Sequence, residues 1–459
     1  MLPLKQRCCQ RASAGDNGAV NRSNTGVNLP GLRSHNAALV LDLLRAAGPD
    51  GISRLELAER TGLTPQAVSK ITARLRAEGL LAEAGHRAST GGKPRTVLRL
   101  VPDAGYAVGV HLDRDELMSV LVDLTGEVVA VRRAPLDFGA GVEVVVEAVV
   151  REVAALGFPR LGPTPEPVPA PGAGGEVGAG LRAPGAGAGG ATLAPAGPDG
   201  AGVTGAGPAP EPGPGRAAKA PEPVEPNPNP VPAPTSAPGK LLGVGVAVPG
   251  PLDHGRGVLH RVTGFPQWDG VRLRDVLAER LGLAVVLDKD TNAAALGLAL
   301  RARPAAGESF AYLHLGTGLG AGLVLGGALH RGARTGAGEF GHQTVQLDGP
   351  VCGCGGRGCI EALCLAAVAR GDIAEAARVL GTGAANLVGL LDIDRVLLGG
   401  RVVAAHEGEF VQGVGDVLAE LARREGRSAV VPVVAAGDGG RGVAYGAAQL
   451  VLAPLFGRV

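Results

Sequence analysis

The hydrophobic pattern of the chain changes its period along the sequence. In residues 36–80 apolar side chains recur at every third or fourth position, which predicts short amphipathic helices. From Tyr106 to Ala134 the pattern alternates, which predicts paired strands with a turn at Thr125-Gly126. A helical period returns at residues 142–157, and the apolar run that begins at Lys240 predicts a buried strand. The pattern therefore predicts a helical N-terminal module followed by an α/β domain.

The helical module has the sequence features of a helix-turn-helix. Ser53 and Glu56 form a capping box at the start of its second helix. Gly62 supplies a turn, and a third helix begins with Thr64 as N-cap and Pro65 at its first position. Two short helices joined by a tight glycine turn are typical of DNA-binding proteins.

The third helix and the segment after it predict a DNA-binding surface. Val68, Ile71 and Leu75 form the inner stripe of this helix, which leaves its polar residues outside. Residues 80–100 predict two strands around a basic Gly-Gly tip, the wing of a winged helix-turn-helix. The helix would read the major groove while the wing contacts phosphates or the minor groove. A protein-interaction module with solvated charges is the alternative. The predicted DNA contacts are Gln66, Ser69, Lys70, Arg74, Arg87, Lys93 and Arg95.

Residues 159–238 have the composition of a segment without a folded core. They hold 21 of the 35 prolines of the chain and contain no aromatic residue. Such a segment buries too little apolar surface to offset the entropy lost on ordering. Because a strand pair and a helix precede it and a buried strand follows it, we expect a disordered insert within one domain.

Charge is distributed unevenly along the chain. Residues 1–100 carry 15 Lys and Arg against 7 Asp and Glu, whereas the remaining residues carry 29 against 36. A basic end on an acidic body favours a module that binds a polyanion. No apolar run reaches the about 18 residues of a membrane span, and the polar N-terminus lacks the apolar core of a signal peptide. We therefore expect a cytoplasmic protein with no membrane partner.

A cysteine cluster follows a histidine in the second half of the chain. Cys352, Cys354 and Cys359 lie in a glycine-rich turn, and His342 precedes them by ten positions. Three thiolates and one imidazole form a common tetrahedral zinc set, and the glycines allow the tight turn that brings the sulfurs together. Four protein ligands leave no open position, so the predicted Zn²⁺ is structural. Free or redox-active thiols are the alternative.

Several segments together resemble the signature of the ROK family, which groups repressors, uncharacterised reading frames and sugar kinases. A winged helix ahead of such a domain is the arrangement of the family's transcriptional regulators. The resemblance covers roughly residues 33–157 and 240–456. The segments that carry it are GEFGHQTVQLDGPVCGCGGRGCIEAL (338–363), GVGVAVPGPLD (243–253), GFPQW (264–268), DKDTNAAALG (288–297), LHLGTGLGAGLVLGG (313–327) and VLLGG (396–400).

The resemblance implies an α/β fold with two actin-like (ribonuclease H-like) lobes and the ligand in the cleft between them. Carboxylates and an imidazole at the family's sugar-binding positions can bind vicinal hydroxyls. Lys289 replaces the usual Asn beside the family's catalytic Asp, which is Asp290 here. His342 would serve both the sugar and the zinc through different nitrogens. The implied sugar-binding residues are Asp290, Asn292, Glu339, His342 and Glu361.

The first phosphate motif of the family's kinases is altered in this chain. His111, Asp113, Arg114 and Asp115 stand where the kinases carry Asp, two glycines and Thr. Acidic side chains there would repel the phosphates of ATP, so we expect no kinase activity and a vestigial base at Asp290. The other vestigial nucleotide-binding positions are Gly316, Thr317, Gly318, Gly399 and Gly400.

These inferences divide the chain into five parts. They are a disordered tail (1–29), a winged helix-turn-helix (30–101), the first part of the ROK domain (102–158), the insert (159–238) and the second part of the ROK domain with the zinc site (239–459).

The function predicted for this arrangement is transcriptional regulation. We expect a repressor of carbohydrate-related genes that binds operator DNA as a homodimer or tetramer and responds to a sugar or sugar phosphate. An ATP-dependent sugar kinase with an appended DNA-binding domain is one alternative. A ligand-independent DNA-binding regulator is the other, and an apparently shortened stretch after Cys364 is consistent with such divergence.

Overall fold

The structure is a computed structural model that describes residues 35–87, 95–157, 239–302, 307–437 and 440–458. The helices of these ranges are α1 (His35–Ala47), α2 (Arg54–Thr61), α3 (Pro65–Ala77), α4 (Val142–Ala154), α5 (Leu273–Leu281), α6 (Asp290–Ala302), α7 (Ile360–Ala369), α8 (Ile373–Leu391), α9 (Arg401–Ala405), α10 (Glu407–Arg424) and α11 (Gly442–Leu452). Among the described residues, none of the helices combines the length and apolar character needed to cross a bilayer.

The strands belong to three larger sheets and one two-stranded ribbon. They are β1 (Ile52–Ser53), β2 (Leu81–Arg87), β3 (Arg95–Leu100), β4 (Gly105–Leu112), β5 (Glu116–Asp123), β6 (Val128–Pro135), β7 (Lys240–Val248), β8 (Leu252–Asp253), β9 (Val258–Leu259), β10 (Val285–Lys289), β11 (Phe310–Leu315), β12 (Leu319–Leu325), β13 (Ala328–Leu329), β14 (Arg395–Gly399) and β15 (Val433–Ala435).

Helices α1 to α3 and the antiparallel sheet β1-β3-β2 form the N-terminal winged helix-turn-helix. The predicted capping box is present, because the Glu56 amide donates to Ser53 Oγ and the Ser53 amide donates to Glu56 Oε2. Gly62 ends α2 in the left-handed region at φ +68°, and Thr64 caps α3. These local features confirm the predicted helix boundaries.

The inner stripe of α3 differs from the prediction at one position. Val68 and Leu75 are fully buried, but Ile71 is only partly buried. Thr72 takes the buried place instead, with its hydroxyl donating to the Val68 carbonyl oxygen at 2.9 Å. A threonine can sit in an apolar stripe in this way because its hydroxyl is satisfied by the preceding turn of the helix.

Two lobes of the same topology follow the winged helix. The first contains a sheet of order β10-β7-β4-β5-β6 and the second a sheet of order β15-β14-β11-β12-β13. In each lobe an antiparallel meander of three strands is extended by two parallel strands. This duplicated arrangement is the actin-like α/β fold that the sequence predicts.

The first sheet contains strands from both sides of residues 158–238. Strand β4 precedes that segment and β7 follows it, and the two pair in parallel, for example at Val108 and Val244. The two flanks therefore lie side by side in one sheet. The predicted disorder of the insert and of residues 1–29 falls outside the described residues.

Helix α11 packs closely against the centre of the first sheet. A Cβ atom at Gly109 in β4 would lie 1.9 Å from the Ala444 carbonyl oxygen, and one at Gly245 in β7 would lie 1.8 Å from the Ala447 carbonyl oxygen. These glycines are needed because any larger residue would push the helix off the sheet. The close contact fixes the C-terminal helix to the first lobe.

One apolar core joins the winged helix to the first lobe. Leu44 and Leu98 of the winged helix pack in the same buried cluster as Val120 of β5 and Leu452 of α11. Burial of a shared apolar surface makes separation of the two parts costly in free energy. The winged helix is therefore attached to the first lobe by packing as well as by the chain.

Arg45 of α1 adds polar contacts at this junction. Its Nε donates to the Thr125 carbonyl oxygen at 3.0 Å, and its Nη2 donates to Gln449 Oε1 at 2.9 Å. Its guanidinium also lies 4.7 Å from the centre of the Phe456 ring. A single side chain thus connects the winged helix with the β5–β6 turn and with the C-terminal helix.

Candidate functional site

The cleft between the lobes contains a polar cavity of about 90 Å³. Its lining comes from residues at the ends of strands and in the loops and helix starts that follow them, in both lobes. Asp290 follows β10, Glu339 and His342 flank a short 3-10 turn, and Glu361 lies in the first turn of α7. The cavity brings these four predicted sugar-binding residues together, with Arg114, Lys289 and His314 beside them.

Asp290 is partly buried at the N-terminal end of α6. Burial raises the pKa of its carboxyl group, although His314 and the Thr291 amide act in the opposite direction. A carboxyl group with a raised pKa can exchange a proton nearer neutral pH than an exposed one.

Glu339 and Glu361 line the cavity, and each also contacts another residue of the chain. The Lys289 ammonium is almost fully buried and lies 3.0 Å from Glu339 Oε1. Glu361 Oε2 accepts from the Leu319 amide at 2.8 Å. These contacts hold the carboxylates in place, and a carboxylate has further lone pairs for the hydroxyl groups of a ligand.

Asn292 lies apart from the other predicted sugar-binding residues. Its side chain is fully buried, and its amide donates to Asp288 Oδ1 at 2.8 Å. Asp288 is in turn paired with Arg331 at 2.7 Å. The geometry therefore does not bring Asn292 to the cavity. It lies behind the cavity because it occupies the inner face of α6.

His342, Cys352, Cys354 and Cys359 form one cluster whose potential ligand atoms all lie within 4.8 Å of one another. The Sγ atoms of Cys354 and Cys359 are 3.8 Å apart, and Cys352 Sγ is 3.8 Å from His342 Nδ1. Sulfur ligands placed about 2.3 Å from a tetrahedral centre are about 3.8 Å apart, so the cluster could hold a metal ion.

The backbone of the cysteine turn depends on glycine. Gly358 has φ +61°, and a Cβ atom there would lie 1.6 Å from the Gln346 carbonyl oxygen. The cluster adjoins the polar cavity, since His342 belongs to both. A metal ion in the cluster would therefore orient His342 at the edge of the cavity.

A second cavity of about 240 Å³ lies in the part of the cleft predicted to be a vestigial nucleotide site. Gly399 and Gly400 line it together with His111, Asp113 and Arg401. Thr317 and Gly318 line the sugar cavity instead, and the Gly316 amide donates to the Gly318 carbonyl oxygen at the base of the same turn. Burial lowers the pKa of His111 to about 4, so its ring is neutral at pH 7.

The β4–β5 turn, which carries Asp113 and Asp115, makes contacts with the second lobe. Asp113 Oδ1 accepts from the Thr317 hydroxyl at 2.9 Å, and Asp115 Oδ2 accepts from Arg401 Nη1 at 2.9 Å. Arg401 was not singled out from the sequence. Its position directly after Gly399-Gly400, at the end of a strand, is the feature that could have identified it.

The predicted DNA-binding residues of α3 lie on its exposed face. The side chains of Gln66, Ser69, Lys70 and Arg74 are all solvent-exposed. In the wing, Arg87 of β2 lies opposite Arg95 of β3 in the backbone pairing of the two strands, and Arg95 is exposed. Lys93 falls outside the described residues. The geometry therefore brings the four helix residues to one surface of the winged helix.

Comparison with known families finds two matching models. The ROK family model matches residues 232–367, and the MarR family model matches residues 31–89. The matches correspond to part of the two-lobed domain and to the winged helix.

Two sequences and one solved structure show the extent of the similarity. A putative xylose repressor from Caldicellulosiruptor sp. (strain Rt8B.4) is 23% identical over 393 residues, which are 76% of this chain and 79% of that protein. The kanosamine kinase of Amycolatopsis mediterranei is 34% identical over 238 residues, 45% of this chain and 76% of that protein. The crystal structure of a ROK family transcriptional regulator, a homolog of the E. coli MLC protein, aligns with a TM-score of 0.59 and 18% identity, covering 92% of this chain and 98% of that one.

Proposed function

The chain belongs to the ROK family, and we propose that it acts as a DNA-binding transcriptional repressor that responds to a sugar or sugar phosphate. The observation that carries the proposal is the apolar core that joins a winged helix-turn-helix to the lobe bordering a polar cleft. The similarity to a putative xylose repressor over 76% of the chain supports it.

The DNA-binding part of the proposal rests on the chemistry of α3 and the wing. The amide of Gln66 and the ammonium of Lys70 can reach base edges, and Ser69 and Arg74 can contact phosphates or bases. Arg87, Lys93 and Arg95 are the proposed phosphate contacts of the wing.

The sugar-binding part rests on the residues of the smaller cavity. Asp290, Glu339, Glu361 and His342 would bind hydroxyl groups by charge-assisted hydrogen bonds. Asn292 has a supporting role in this proposal, because it holds Asp288 behind the cavity.

We propose no kinase activity for the protein, because Asp113 and Asp115 stand at positions that the resemblance assigns to the phosphates of ATP, and carboxylates there would repel them. A sugar kinase is the second candidate. The kanosamine kinase relative and the raised pKa of Asp290 favour it. Sugar-dependent consumption of ATP separates the two.

Zinc is the metal that fits the cysteine cluster. Three thiolates and an imidazole at tetrahedral spacing are a closed structural set, and softer ligands favour Zn²⁺ over Mg²⁺ or Ca²⁺. Bound Zn²⁺ would fix the turn at residues 352–359 and hold His342 at the edge of the proposed sugar cavity.

Regulation would follow from a change in the angle between the lobes. Because the winged helix packs on the first lobe, a rotation of that lobe would carry the DNA-binding surface with it. In a homodimer or tetramer this alters the spacing of two recognition helices, so sugar and operator affinities are coupled reciprocally. A two-fold symmetric dimer would bind a pseudo-palindromic operator in the cytoplasm.

The test combines DNA selection with a ligand screen. Bound sequences are selected from random DNA, and operator affinity is then measured by fluorescence anisotropy with and without pentoses, hexoses and their phosphates. We expect a sequence-specific site and one ligand that changes operator affinity, while a Lys70→Ala/Arg74→Ala variant loses the site. A protein that selects no sequence, or that consumes ATP with its sugar, contradicts the proposal.

A further inference from the structure

An apolar pocket, partly open to solvent, lies where the winged helix meets the first lobe. Its volume is about 290 Å³, and its walls come from the winged helix, the first lobe and the C-terminal turn. Among the described residues, none that line this pocket also line the two cavities of the cleft. We call it the junction pocket. Its large apolar lining residues are Leu41, Leu80, Leu124, Leu242, Leu455 and Phe456.

The junction pocket has room for a small organic molecule. A closed apolar cavity of about 150 Å³ can hold a benzene ring, and this pocket is larger, at about 290 Å³. An apolar group that enters such a space leaves water and gains van der Waals contacts with the leucine side chains around it. The lining therefore favours a ligand with an apolar ring or a short alkyl chain.

Two charged side chains border the pocket, and they differ in their surroundings. Glu78, at the end of α3, already faces a cation, with its Oε1 atom 3.8 Å from Arg74 Nε. Lys240, at the start of β7, is exposed, and its side chain forms no hydrogen bond or ion pair with another described residue. The charge left for a ligand is therefore positive. An ammonium group binds a carboxylate through charge-assisted hydrogen bonds.

The walls of the junction pocket belong to the parts that hold the winged helix in place. Leu41 of α1 and Leu80, which follows α3, come from the winged helix, while Leu124 and Leu242 come from the first lobe. All four pack in the apolar core that joins the two parts. A molecule in the pocket contacts both parts at once, so it stabilises the arrangement in which these walls have their present spacing.

We propose that the junction pocket is a second ligand site, for a small molecule with an apolar ring or short alkyl chain and one carboxylate, and that its occupancy changes operator affinity. The apolar part occupies the space between the leucines, and the carboxylate binds Lys240. The existence of the site does not depend on the proposed function, whereas its effect on DNA binding rests on it.

The test uses three acids as probes: benzoate, 3-phenylpropionate and octanoate. Each is compared with the alcohol of the same skeleton, which has the apolar part but no charge. Calorimetry and thermal unfolding are carried out on the full-length protein. We expect at least one acid to bind, to raise the melting temperature and to bind about fivefold or more tightly than its alcohol.

Two variants separate the charge of the site from its space. Lys240→Gln should remove the preference for the acid and leave the affinity for the alcohol unchanged. Ala104→Phe places a ring in the pocket and should abolish binding of both. Arg256→Gln is the control, because this exposed arginine of the β8–β9 turn does not line the pocket. If Ala104→Phe fails to fold, the comparison of Lys240→Gln with the control decides.

The outcomes separate this inference from the proposed function. The site is overturned if no acid or alcohol binds at millimolar concentration, or if Lys240→Gln binds the acids as tightly as the control does. With the selected operator, saturation by the acid should change DNA affinity about threefold or more, and an unchanged affinity overturns the regulatory role. If the protein selects no operator, the proposed function fails, and the binding measurements still decide whether the site exists.

Discussion

The carboxylates in the two halves of the cleft have different surroundings. In the sugar half, Asp290, Glu339 and Glu361 border a cavity, and each keeps lone pairs for a ligand. In the nucleotide half, Asp113 and Asp115 bind Thr317 and Arg401 of the opposite lobe. The difference shows that carboxylates in one cleft can either border an open cavity or be paired across the lobes, depending on which side chains face them.

The largest effect is expected from the metal cluster that borders the sugar half. Cys359→Ser removes one of four ligands, and structural zinc contributes apparent free energies of about 10–16 kcal/mol in small domains. We expect loss of the metal, a lower melting temperature and loss of sugar binding. Mass spectrometry of the bound metal and thermal unfolding measure this.

Cys364→Ala is the matched control for the cluster. Cys364 is buried in α7 but lies outside the four-residue group, so the metal content of this variant should be unchanged. A metal-free wild-type protein whose melting is insensitive to chelators would show that the thiols are not ligands.

His111, in the nucleotide half, should make a large contribution to the decrease in the free energy of unfolding at acidic pH. Burial lowers the pKa of His111 from 6.5 to about 4 in the folded state. Between these values the unfolded chain binds a proton and the folded chain does not, so the free energy of unfolding falls as the pH falls. The full decrease is about 3 kcal/mol and is complete below pH 4.

Denaturant titrations from pH 7.5 to pH 4 measure this dependence. His111→Gln should remove that part of the slope, because glutamine does not titrate. A variant with the same pH dependence as the wild type would mean that other groups are responsible and that the nucleotide half has no special role in acid stability.

A smaller effect is expected from a single change in the sugar half. Glu361→Gln keeps an acceptor for the Leu319 amide but removes the charge that strengthens bonds to sugar hydroxyls. We expect sugar affinity to fall about tenfold, or about 1.4 kcal/mol, by calorimetry. Glu375→Gln on the exposed surface of α8 is the control, and equal affinities for the two variants would remove Glu361 from the site.

The smallest effect is expected from Arg45, which joins the winged helix to the first lobe. Arg45→Leu removes the hydrogen bonds to Thr125 and Gln449 but retains apolar volume. We expect a loss of stability of about 1–2 kcal/mol, measured by urea titration, and a weaker effect of sugar on operator affinity. If sugar changes operator affinity as much as in the wild type, Arg45 does not transmit the change.

Features that depend on neighbours in the chain were predictable. The capping box of Ser53 and Glu56 and the N-cap Thr64 span three residues each. The cysteine set was predictable as well, because three of its ligands occupy one short turn and glycines fix the turn's geometry. The two-lobed fold was predicted only because several segments together resemble the ROK family.

Features that depend on distant partners were not predictable. Lys289 was expected to alter a sugar contact, but its ion pair with Glu339 joins residues 50 positions apart. Asn292 matched a family position but lies behind the cavity, since the direction of a side chain at the start of α6 depends on how the helix packs. Thr72 replaced Ile71 in the buried stripe for the same reason.

By itself, the sequence determined the winged helix, the alternation of strands and helices, and the composition of the His/Cys cluster, because periodicity, capping and clustered residues act over short distances. Only the tertiary structure decided which charged side chains of the cleft pair with one another. Asp113 and Thr317 are 204 positions apart, and Arg45 and Gln449 are 404 apart. Hydrogen bonds between such residues arise when the winged helix and the two lobes pack together. A local sequence pattern contains no information about that packing.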